Sequence, residues 1–157
     1  MANVKPIPEG RHAVTPYIVV RDAAKAVEWY SRAFGATPVM SMPSPDGKLM
    51  HAEIRIGDSL IYVADEFPQM GSKGIQSYGG SPVGIHLYVP NVDQAFERAV
   101  AAGAKAQMPP ANMFWGDRFA KLTDPYGMSW SMCTHIEDVS PEEMGKRAAA
   151  AFCEQKK

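Results

Sequence analysis

The chain has 157 residues, 46% of them hydrophobic, and a formal net charge of −1. That is enough apolar material for one well-filled domain or two small halves, and too balanced a charge for the basic surface that DNA or RNA binding requires. Lysine and arginine are scattered, and no stretch approaches the roughly 20 apolar residues of a membrane-spanning helix, so neither nucleic acid nor membrane is expected as a partner.

Residues 1–13 read as a loose arm in which Pro6 and Pro8 discourage regular structure. It has no apolar core like that of a secretory leader, and a cytoplasmic setting is expected. Val14 to Val20 is predicted as a strand, with Thr15, Tyr17 and Val19 on one face. A helix follows from Asp22, taken as its cap, to Gly35, with Val27, Tyr30 and Phe34 on one stripe. Strands are predicted at Thr37–Met42, Leu49–Ile56 and Ser59–Ala64, joined by Asp46-Gly47 and Gly57-Asp58 turns. The first module is therefore β-α-β-β-β over 14–66.

Residues 67–82, rich in glycine and polar groups, form the expected linker. The pattern then returns over 83–136. It runs through a strand from Val83 to Val89, a helix capped by Asn91 with Val92, Phe96 and Val100 on its stripe, and a closing Gly103. A short strand Lys105–Met108 is predicted to end at Pro109-Pro110-Ala111-Asn112, and two more strands run over Asp117–Thr123 and Met128–Thr134. Two such copies point to a duplicated module rather than a solenoid. In the segment 137–157, Ser140-Pro141-Glu142-Glu143 carries an N-cap serine, proline at the first helical position and a glutamate placed for a capping box. Met144, Ala148 and Phe152 give this helix an apolar stripe to dock in cis or on a second copy. Cys133 and Cys153 lack metal spacing or a disulfide context and read as free, packed thiols.

Several stretches resemble the vicinal oxygen chelate superfamily, which includes glyoxalase I, bleomycin-resistance proteins and extradiol dioxygenases, and more narrowly its PhnB-like branch. They include Thr15-Pro16-Tyr17-Ile18-Val19-Val20, Ala26-Val27-Glu28-Trp29-Tyr30, Met50-His51-Ala52-Glu53, Phe114-Trp115-Gly116-Asp117-Arg118, Asp124-Pro125-Tyr126-Gly127 and Thr134-His135-Ile136-Glu137. The resemblance implies an α+β fold of two βαβββ modules, each curling a mixed sheet into half a cup, plus a C-terminal helix, and a homodimer. It also implies a small-molecule cavity inside the curved sheets.

Catalytic members hold a divalent metal with His and Glu side chains from the first and last strands of the modules. Carried over by motif, the first-strand positions fall on Thr15 and Gly84. The last-strand positions fall on Ser131 and on Ile61 or Tyr62. None is a histidine or carboxylate, so no metal cofactor is expected at the usual place. His51 and Glu53 share one face of a strand, and with His86 they are the alternative: a displaced site for Zn, Ni or Mn.

Phe114-Trp115-Gly116-Asp117-Arg118 is the most unusual cluster. Trp115 could wall a pocket and Arg118 hold a carboxylate or phosphonate through its planar fork; equally, the loop could brace the fold. Tyr17, Tyr62 and Trp130 lie on strands expected to line the cup, and His86 reads as a cavity residue. No serine sits in a nucleophile elbow, and no glycine-rich nucleotide loop is present, so no catalytic residue is assigned. Two functions follow. One is a bleomycin-resistance-like protein that holds a small, partly aromatic or anionic molecule without the usual metal. The other is a glyoxalase-like lyase or isomerase using the displaced metal.

Overall fold

A computed structural model describes residues 4–154. The chain divides between Gly80 and Ser81 into two compact units. In the first, the sheet order is β1-β4-β3-β2, built from β1 (Tyr17–Val20), β2 (Thr37–Pro43), β3 (Leu49–Ile56) and β4 (Ser59–Asp65). Strands β1 and β4 pair in parallel and the remaining pairs are antiparallel. Helix α1 (Ala23–Phe34) buries Ala26, Trp29, Tyr30, Ala33 and Phe34, and Ile18, Val20, Ile54 and Val63 are also buried.

The second unit repeats the order as β5-β8-β7-β6, from β5 (Gly84–Tyr88), β6 (Lys105–Asn112), β7 (Asp117–Thr123) and β8 (Ser129–His135). Helix α2 (Val92–Ala101) covers one face, and helix α3 (Pro141–Glu154) follows. The α+β architecture of two βαβββ modules and a C-terminal helix is thus present as read from the sequence.

Local departures have physical causes. Strand β1 begins only at Tyr17, after Pro16, and Val14 is 84% exposed. Strand β6 does not stop at Pro109-Pro110 but continues to Asn112, with its register shifting between Met108 and Ala111. As an edge strand it tolerates two missing N–H groups that a central strand would not.

Asn91 caps α2 as expected, accepting from the Gln94 N–H at 3.0 Å. Asp22 does not cap α1. It sits in the left-handed region at φ 63° and pairs with Lys25. The free Ala23 N–H instead donates to Asp65 at the end of β4, and Thr134 at the end of β8 accepts from Val92 in the second unit. Both helix starts are therefore tied to the last strand of their own sheet, satisfying donors that a helix leaves open.

Val27 is only half-buried and Val100 exposed, so the small residues Ala26 and Ala33, and Ala95 and Ala99, carry more of the helix seams than expected. Ser140 caps α3 through the Glu143 N–H at 3.3 Å, while the Glu143 carboxylate pairs with Arg147 rather than closing a capping box. Met144 and Ala148 are half-buried, and the Phe152 side chain lies outside the described residues. Cys133 is buried and Cys153 exposed, so only the first is a packed thiol. Among the described residues no helix is long and apolar enough to cross a membrane.

Candidate functional site

Each sheet has a helix-covered face and an opposite face, and strand alternation decides which side chains reach the second. On β7, Ala120 and Leu122 are fully buried, so Arg118 shares their side. There its fork closes on Asp93 of α2, with Nε at 2.7 Å and Nη2 at 2.6 Å, and Nη1 donates to Asn112. Arg118 braces helix to sheet. Trp130 has the same parity on β8: it is 0% exposed and donates from Nε1 to the buried Asp124 at 3.0 Å. The structure puts both residues in the packing of the unit and not against the open face.

On the open face of the second unit, a cavity of about 370 Å³ is lined by Ser81, Pro82, Gly84, His86, Phe119, Lys121, Ser129 and Ser131. His86 is held on both ring nitrogens: Nδ1 lies 2.7 Å from Ser131 Oγ and Nε2 lies 3.2 Å from Cys133 Sγ. Burial pushes the Cys133 thiol up, with the Asp117 charge adding to it. Ser131 Oγ, held beside the His86 ring, also lines the cavity.

Phe119 stacks on His86 at 6.2 Å, and Trp115 stands edge-on to Phe119 at 5.7 Å. Trp115 donates from Nε1 to Asp117 at 3.1 Å and is thus fixed behind the cavity wall. Lys121 is the one lysine or arginine in the lining, and three hydroxyls and an aromatic face complete it. Phe119, Lys121, Ser81 and Ser129 escaped the sequence reading. Counting by twos from Asp117, or back from Ser131, would have put Phe119, Lys121 and Ser129 on this face.

In the first unit the open face carries Tyr17, His51, Glu53 and Tyr62. Tyr17 Oη lies 3.0 Å from His51 Nδ1, and His51 Nε2 lies 3.4 Å from Glu53 Oε1. Burial, with the neighbouring Tyr62, holds the Tyr17 phenol above its usual range. Glu53 is 4% exposed, and its other oxygen accepts from Arg11 Nη1 at 2.6 Å. Arg11 foremost, with His51 assisting, holds the Glu53 carboxyl below the usual range against the cost of burial.

The usual metal positions carry Thr15, Gly84, Ser131 and either Ile61 or Tyr62, a donor set without charge or imidazole that does not fit a divalent cation. In the displaced alternative, the Glu53 carboxylate already has the Arg11 guanidinium on it. Among the described residues no three His, Cys, Asp or Glu side chains form a group able to hold a metal.

The family model for the glyoxalase/bleomycin resistance protein/dioxygenase superfamily matches residues 11–132. The chain belongs to that superfamily. A superfamily relative of 41% identity is an uncharacterized protein of Mycobacterium bovis, matched over 90% of this chain and 91% of its own length. Protein PA1353 from Pseudomonas aeruginosa is 25% identical, with a TM-score of 0.66 over 81% of this chain and 100% of that one. A Bacillus cereus PhnB protein described as a putative 3-demethylubiquinone-9 3-methyltransferase shares the fold. Its TM-score is 0.61 at 16% identity, over 78% of this chain and 99% of that one.

Proposed function

We propose that the protein binds a small anionic molecule with a flat apolar part in the cavity of its second unit, without a metal at the family's usual positions. The observation that carries this reading is the cavity itself. At about 370 Å³ it lies at the small end of the ligand-pocket range, and its one cation, hydroxyls and aromatic wall converge on one space. Lys121 would neutralise a carboxylate or phosphonate, Ser131 would donate to one of its oxygens, and a ring would lie along Phe119. The thiol and Ser131 that hold His86 keep its ring still, which lowers the ordering cost on binding.

The test is isothermal titration with benzoate and phenylphosphonate, using protein treated with chelator and protein left untreated. One-to-one binding is expected, equal in both preparations. Lys121→Ala should weaken it about tenfold, which is about 1.4 kcal/mol, and Lys73→Ala should leave it unchanged. No heat with either probe, or equal affinity in the Lys121→Ala variant, would remove the cavity from consideration. Binding that disappears with the chelator would return the metal-dependent reading.

A further inference from the structure

The first unit contains a charged site that the anion-binding reading of the second unit does not use. Glu53 is an ionised carboxylate that is 4% exposed, on a strand whose opposite face is core. A charge so far from water requires a cation, and among the described residues the sheet brings no lysine or arginine to it, only the His51 ring at 3.4 Å. The cation comes from Arg11, in a segment with no regular secondary structure.

Arg11 Nη1 donates to Glu53 at 2.6 Å and to Tyr62 Oη at 3.2 Å, while its guanidinium carbon lies 5.8 Å from the Tyr62 ring centre. Tyr17, His51 and Tyr62 meet edge to face at 4.8–5.6 Å around it. An acid at the base and aromatic rings at the sides are the recognition chemistry of an organic cation.

The tie is built to be exchanged. Only Nη1 of the guanidinium is engaged among the described residues, not the bidentate fork that such a group makes with a carboxylate when nothing prevents it. The Arg11 side chain remains 28% exposed. From residue 4 to Thr15, the hydrogen bonds of the described segment are one local contact, the Arg11 N–H to Pro8, and the two from the Arg11 side chain. His12, Ala13 and Val14 on its far side are exposed. Among the described residues, no hydrogen bond besides these ties the segment to the sheet before the point where Pro16 accepts from the Tyr62 N–H.

We propose that Glu53, Tyr62, His51 and Tyr17 form a binding site for a small guanidinium compound, and that Arg11 is a tethered occupant which such a ligand displaces. A free guanidinium can present two parallel N–H groups to Glu53 where Arg11 presents one nitrogen, and an apolar substituent would lie against the exposed ring of Tyr17. The tether gives Arg11 a high effective concentration, so the site is closed to weak cations and opens only to one that makes the second bond.

The test uses the full chain and ethylguanidinium, with tetramethylammonium at equal ionic strength as control. Binding is followed by the His51 ring proton signal in NMR. Arg11→Ala should bind ethylguanidinium at least tenfold more tightly than the wild type, and Arg11→Ala/Glu53→Gln should lose that binding. In the wild type the Arg11 Nε–H signal should move to the position of a solvated arginine as ethylguanidinium is added, and stay in place with tetramethylammonium. A folded Arg11→Ala variant that ignores the probe, or that takes Mn²⁺ in its place, overturns the proposal. Should that variant not fold, an Arg11 signal in the wild type unmoved by the probe overturns it equally. Neither result bears on the second-unit cavity, whose titrations use other probes and other residues.

Discussion

Gly116, in the centre of the Phe114-Trp115-Gly116-Asp117-Arg118 cluster, offers the sharpest test of how this loop is bolted down. Its φ is 96°, and an added Cβ would stand 2.1 Å from the backbone oxygen of Glu137 and 3.0 Å from Val139 Cγ2. The Gly116 carbonyl also accepts from both Ile136 and Glu137, at 2.9 and 3.0 Å. Gly116→Ala must move one backbone against the other by about an ångström and strain or break those bonds. The positive φ costs about 1–2 kcal/mol, and the two bonds about 0.5–1.5 kcal/mol each. A total near 4 kcal/mol is expected, in the rare and diagnostic range for one substitution.

Gly103→Ala is the matched control in the same unit. Its φ is 104°, and the nearest atom to its Cβ is Pro125 Cγ at an ordinary 3.9 Å, so it should lose only the conformational part. Thermal denaturation separates the two. At 2–4 °C per kcal/mol for a chain of about this size, Gly116→Ala should melt several degrees below Gly103→Ala. Equal melting temperatures would refute the idea that the loop is locked against residues 137–139.

Asp124 accepts from the Tyr126 and Met128 N–H groups and from Trp130 Nε1, all at 2.9–3.0 Å, and is buried. Asp124→Ala should cost about 3 kcal/mol in denaturant unfolding, and a loss under 1 kcal/mol would contradict the assigned role. His135 is held between Asp138 and Asp117, and these carboxylates raise its pKa above 6.5, Asp138 most. Its contribution is complete below the unfolded value and fades as pH rises through the raised one. The melting temperature of the wild type relative to His135→Gln should therefore be highest near pH 6 and shrink toward pH 8; a difference that grows with pH would be fatal to this assignment. Arg118→Ala breaks a half-exposed ion pair with Asp93. It should cost under about 1 kcal/mol and leave benzoate titration unchanged; a tenfold loss of affinity would put Arg118 in the site after all.

Periodicity made the modules legible. Alternating apolar residues marked β3, β4, β7 and β8, and glycine at φ 69° in Gly35 ended α1 as expected. The same alternation was enough to place Arg118 and Trp130 beneath the helix, because each shares parity with fully buried neighbours, Leu122 and Met132. Residue chemistry drew attention to them: a tryptophan and an arginine near a signature loop look like pocket residues until the side of the strand is counted. Proline misled at β6, where the rule that it ends strands yields at a sheet edge with no partner to receive the missing N–H groups.

What no local pattern carries is contact across long stretches of chain. Arg11 and Glu53 are 42 residues apart, as are Ala23 and Asp65, and neither pair has a sequence signature. Their consequence is chemical as well as structural. The positions that the family resemblance assigns to metal ligands carry Thr15, Gly84, Ser131 and either Ile61 or Tyr62, none of them a histidine or carboxylate. Glu53 nevertheless keeps a charge on the open face of the first unit, and a buried charge is retained only with a counterion. Arg11 supplies it from a segment whose remaining contacts are few. Lys121 brings the opposite sign to the open face of the second unit, where no carboxylate is among the residues lining the cavity. Two sheets of the same strand order thus differ in their open faces: the first carries a buried acid held by Arg11, and the second a lysine beside a cavity.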